Sequence, residues 1–147
     1  MSPFASGYHA EHVAADVGTG FVATEAPALQ KALRAALRAG ESKGRAIPAD
    51  LAFRTGAAER VVVEWRNQYV GFVPTSHLAT LRGQLAGAGR AKVVAPGQVY
   101  WDGAYWRVWV GPPPPAGFPA VEPGYDELTP PPSTIFGVRV DRTPGRP

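Results

Sequence analysis

The sequence predicts a mainly β, barrel-like domain with two short helices and a proline-rich C-terminal arm. Three observations carry this. Glycine and proline are unusually frequent, 17 and 16 in 147 residues, which breaks the chain into short elements, because proline removes a donor and glycine costs helix stability. Runs rich in β-branched and aromatic residues, such as Val61-Val62-Val63 and Trp106 to Val110, recur between turn signals. Only two stretches have helical spacing of leucines.

The elements follow in order. Residues 1–16 read as a flexible lead-in, and 18–22 as a short first strand. In the first helix Thr24 is the expected N-cap, Glu25 suits the positive end of the dipole and Pro27 fits the first turn. Leu29, Leu33, Ala36 and Leu37 share one face, while Lys31, Arg34 and Arg38 form a solvated stripe on the other, up to Gly40. A second strand covers 47–53 and turns near Thr55-Gly56. Strands 60–65 and 69–73 form a hairpin about Asn67-Gln68, closed by Pro74, which cannot donate to a ladder. Ser76 caps a second helix with Leu78, Leu81 and Leu85 on one stripe, ending at Gly87 and Gly89. A strand over 91–95 precedes a hairpin, 98–101 and 105–110, around Asp102-Gly103, a strong hairpin signal. After Gly111 the texture changes. Residues 112–115 and 130–132 are proline runs, so 111–134 reads as an extended arm, with 135–140 strand-like and the end disordered. The organisation is thus a lead-in over 1–16, a domain over 17–110 and an arm over 111–147.

Composition excludes several functions. Without cysteine there are no disulfides, thiol nucleophiles or cysteine zinc sites. No secretory signal is read at residues 1–20, and no apolar run nears the roughly 20 residues that span a bilayer, so a cytoplasmic protein without membrane partners is expected. No nucleotide-loop or nucleophile-elbow motif is present, and the carboxylate pair Asp126-Glu127 falls in the arm. A binding module rather than an enzyme is the expectation, with no cofactor. His9 and His12 are three apart, but glycine nearby and the lack of a third ligand argue for a tail and against a metal site.

The segment 61–110 carries Val61, Val63, Val70, Gly71, Phe72, Val73, Pro74 and Ala79: a V-x-V strand, then VGFVP, then a helix with a small residue near its start. With the order of elements over 17–110, this resembles the HIRAN family of small β-barrel domains. The resemblance implies a barrel and a single-stranded DNA ligand. The chain departs from the family before Val61, where an Asn-Pro-Tyr-Asp-like turn gives way to a segment that keeps only the small pair Ala57-Ala58. In some eukaryotic members that turn helps form the pocket for a DNA end.

The net charge of +3 and pI near 9.5 permit a nucleic-acid partner. Tyr105, Arg107 and Trp109 alternate onto one face of a strand, and Trp106, Val108 and Val110 onto the other, the better core set. Trp65, Tyr69, Tyr100 and Trp101 lie on neighbouring strands, and the face of Trp65, Tyr69, Tyr105, Arg107 and Trp109 is the expected base-stacking surface, each base contributing about 1–3 kcal/mol. Arg66, Arg82 and His77 are the expected phosphate contacts, His77 from the first turn of the second helix. The rival expectation is a protein-interaction or assembly module, with a partner or a second copy bound through residues 111–147.

Overall fold

A computed structural model of the chain describes residues 11–127. The strands are β1 (His12–Ala14), β2 (Phe21–Val22), β3 (Ile47–Thr55), β4 (Val61–Trp65), β5 (Gln68–Phe72), β6 (Lys92–Trp101) and β7 (Trp106–Val110). The α-helices are α1 (Gln30–Ala36), entered through a 3-10 turn at Ala26–Leu29, and α2 (Thr75–Ala88). The expected mainly β class with two helices holds.

One curled antiparallel sheet runs β2-β7-β6-β3-β4-β5, with β1 pairing parallel to β6 outside that path. The curl brings its ends together: beyond β2, Thr24 bridges Phe72 of β5 through two backbone hydrogen bonds of 2.8 and 3.2 Å. Alternation on β3 and β6 sends Leu51, Phe53, Val93 and Val99 inward, where they meet Leu33 of α1 and Leu81 of α2. Trp106, Val108 and Val110 join this core, as their spacing predicts.

Several expectations shift. The lead-in is not loose throughout, because β1 lies on β6 and the Asp16 amide donates to Gln84. Thr24 does not cap a helix: it is buried at the bridge to β5, and the 3-10 turn intervenes. Glu25 is buried with a left-handed backbone and an ion pair to Arg60. The hairpin between β4 and β5 turns at Arg66-Asn67, both with positive φ, one residue earlier than read. α2 begins at Thr75 with no side-chain cap, and the Ser76 hydroxyl meets His77 instead. The two strands read at 91–95 and 98–101 are one, β6, which begins at Lys92 and runs through Pro96-Gly97. Pro96 falls between the β1 ladder, which ends at Val94, and the β7 ladder, which begins at Gly97, so its missing N–H interrupts neither.

The arm changes most. Over 111–127 it folds back on the sheet, and Phe118, Val121 and Tyr125 pack on Val22, Tyr100 and Trp109. The segment 135–140, read as strand-like, and His9 lie outside the described residues.

Candidate nucleic-acid interface

The eight residues expected to form one surface do not share one. Trp65 is in the core, 3% exposed, because β4 is covered inside the curl. Arg66 lies over the Trp65 ring at 4.2 Å and grips Glu41 at 2.6 and 2.9 Å and the Ala36 carbonyl at 3.0 Å. Tyr69 stands exposed on β5. His77 packs against Phe21, ring centroids 4.5 Å apart. Arg82 pairs with Glu59 at 3.1 Å.

Arg107 and Trp109 share a face of β7, as alternation requires, while Tyr105 lies just before the strand, which begins at Trp106 and not at 105 as read; the arm covers Arg107 and Trp109. Arg107 is 5% exposed and Trp109 6%; only Tyr105 reaches solvent. Arg107 donates to both carboxylate oxygens of Asp126, at 3.1 and 2.9 Å, and to Asp102. Burial opposes the charge on Arg107, but the hydrogen bonds to Asp126 and Asp102 outweigh it and raise its pKa. Burial also pushes the Tyr100 and Tyr125 phenols up to about 12. The expectation of an open stacking face fails because the spacing along β7 says nothing of what later chain lies over it.

A different surface gathers five cations without ion pairs. Residues 31–46 carry Lys31, Arg34, Arg38, Lys43 and Arg45 against the single acid Glu41, a net of +4, while the rest of the chain is net −1. Glu41 is already engaged by Arg66, whose hydrogen bonds hold its carboxyl down to about 2. All five cations are exposed, and none has an ion pair among the described residues. By contrast Arg66, Arg82 and Arg107 each have a carboxylate partner.

This basic segment meets the turn end of the β6–β7 hairpin. Arg34, Ser42 and Gly44 line a cleft of about 320 Å³ with Trp101 and Trp106. Trp101 is 44% exposed and stands edge-on to Trp106 at 5.6 Å. Gln30 fixes α1 to the hairpin by donating to the Trp106 carbonyl (2.8 Å) and accepting from its amide (2.9 Å). A neighbouring cleft of about 450 Å³ is lined by Lys43 and Arg45 with residues of the same loop and the start of β3. An exposed indole beside unpaired cations supplies an aromatic platform and phosphate contacts together.

Sequence reasoning placed Trp101 among the aromatics beside the stacking face and read Arg34 as part of a solvated stripe, but committed neither as a site residue, and it missed Lys43 and Arg45. The signal was present in the local charge of 31–46, against a remainder of opposite sign. What brings Trp101 to it is the register of Trp101 opposite Trp106 and the Gln30 clamp, neither of which has a local signature.

Among the described residues no group of three or more histidines and carboxylates is placed to hold a metal, and no helix is long and apolar enough to cross a membrane. Comparison with known protein families, curated proteins and solved structures finds no match for this chain.

Proposed function

We propose that the chain is a non-enzymatic nucleic-acid-binding accessory module that takes single-stranded DNA at the Trp101 cleft. The observation that carries this is the run of exposed, unpaired cations over 31–46 beside the exposed Trp101. A base stacks on Trp101, Arg34 lies at the cleft wall, and Lys43 and Arg45 extend the positive track for successive phosphates. The HIRAN resemblance read from residues 61–110 points to the same function. The binding surface differs from the one first read, because Arg66, Arg82 and Arg107 are engaged with carboxylates and Trp65 is in the core.

The test is anisotropy of labelled single-stranded and double-stranded DNA and RNA at two salt concentrations, with the wild type and Trp101→Ala. Single-stranded DNA binds tightest, and Trp101→Ala weakens it about tenfold, the equivalent of one lost stacked base. Equal binding of single and double strands, or an unchanged affinity in a folded Trp101→Ala protein, overturns the proposal.

A further inference from the structure

The outer face of the β6–β7 hairpin has the chemistry of a nucleotide site, and the chain's own arm fills it. Phe118 lies flat on Tyr100, with ring centroids 3.9 Å apart and planes inclined by 5°. That is the arrangement of a base on an aromatic platform. Trp109 flanks the stack, 6.4 Å from the Phe118 centroid. Opposite Tyr100 in the ladder stands Arg107, whose guanidinium donates to both oxygens of Asp126. This fork geometry suits a phosphate as well as a carboxylate.

Packing alone does not call for these groups. A buried arginine with carboxylates recovers its desolvation only through good geometry, and apolar residues of similar volume often hold an interface at least as well. Beyond the Arg107 contacts, the arm's polar links to the sheet include Trp109 Nε1 to the Pro112 carbonyl (2.7 Å), the Tyr125 hydroxyl to the Val22 carbonyl (2.5 Å) and the Glu25 amide to Asp126 (3.0 Å). An apolar cleft of about 270 Å³ remains open between residues 119–125 of the arm, β2 and Trp109.

We propose that this face is a second site for one nucleotide unit of a single-stranded nucleic acid, with its base on Tyr100 and its phosphate on Arg107, and that residues 112–127 are an intramolecular stand-in for it. Phe118 takes the place of the base and Asp126 that of the phosphate. Tyr100 and Trp101 are successive residues of β6, so the covered site adjoins the Trp101 cleft on the other face of the strand.

The experiment uses the full chain in a Trp101→Ala background, which removes the stacking platform of the open cleft. Phe118→Ala with Asp126→Asn is added, and the affinity for a short labelled oligodeoxythymidine is measured. The arm variants bind about tenfold tighter than Trp101→Ala alone, because one stack and one charge contact no longer have to be displaced. An unchanged or weaker affinity with a native circular dichroism spectrum overturns the proposal. If those variants do not fold, the wild type decides. Saturating oligonucleotide speeds chymotryptic cleavage after Tyr125 if strand and arm compete, and unchanged or slower cleavage overturns the idea. The two sites are separable: a gain on loosening the arm stands even if Trp101→Ala has no effect on the wild type.

Discussion

Arg66 shows how a single side chain can order a whole surface segment. Its guanidinium joins the Trp65 ring, the Ala36 carbonyl at the end of α1 and the Glu41 carboxylate, so it pins the start of the basic loop to the β4–β5 turn. The pair has a pH signature. The Arg66 hydrogen bonds, helped by the Arg38 amide, hold Glu41 down from 4.5 to about 2. A carboxyl whose folded pKa is depressed adds stability that is complete above its unfolded value and is lost as pH falls, here from about 4.5 to about 2. Both partners keep contact with water, so screening limits the pair to about 1 kcal/mol. Glu41→Gln therefore lowers the melting temperature by about 3 °C at pH 7, and the difference from wild type disappears near pH 2. Thermal melts of both proteins from pH 7 to pH 2 check this; a gap that persists in acid means Glu41 acts by some means other than its charge. Neither this pair nor Glu25 with Arg60 was legible in the sequence, since the partners are 25 and 35 positions apart and each carries a residue type ordinary for exposed turns.

At the level of elements, legibility followed locality. The β-branched run 61–63, the Asp102-Gly103 turn and the leucines of α2 each declare themselves within a few residues, and each appears in the structure. β1, a three-residue strand, is held by pairing with β6 some eighty positions later, and no local pattern announces it. Gly71 of the VGFVP segment shows the same dependence in reverse. A Cβ there would stand 2.5 Å from the Ala23 Cβ and 3.6 Å from the Thr24 carbonyl. Only glycine lets the chain beyond β2 reach β5 and bring the ends of the sheet together at the Thr24–Phe72 bridge. Gly71→Ala forces that contact open and costs about 1–3 kcal/mol, the range for overpacking. Ala23→Gly, which removes the opposing methyl, recovers part of the loss in the double variant. Urea denaturation of the two single variants and the double gives the coupling directly. Strict additivity would mean the two positions do not meet.

Over the whole molecule, charge separates more sharply than the mild total of +3 implies. A net of +4 sits in 31–46, on the side of α1 and the loop toward β3, and the remainder of the chain is slightly negative. Arg66 and Arg82, first read as phosphate contacts, and Arg107, first read on the stacking face, each hold a carboxylate. What the sequence concealed was which cations the fold leaves unpaired, a property of the finished structure and not of any window. This distinction has a measurable consequence, because only cations free to meet phosphates release counterions on binding. On single strands the logarithm of affinity falls against the logarithm of salt with a slope of about −0.7 per phosphate neutralised. If three to five of the segment's cations are used, the wild-type slope lies between about −2 and −3.5. Lys43→Ala with Arg45→Ala makes the slope shallower by about 1.4. Arg54→Ala, which removes a cation already paired with Glu64 at 2.5 Å, leaves it unchanged. Titrations at four or more salt concentrations separate these cases. Equal slopes for the two variants would place the phosphate track elsewhere on the surface, and a slope near zero in the wild type would mean that binding, where it occurs, rests on the aromatic platform alone.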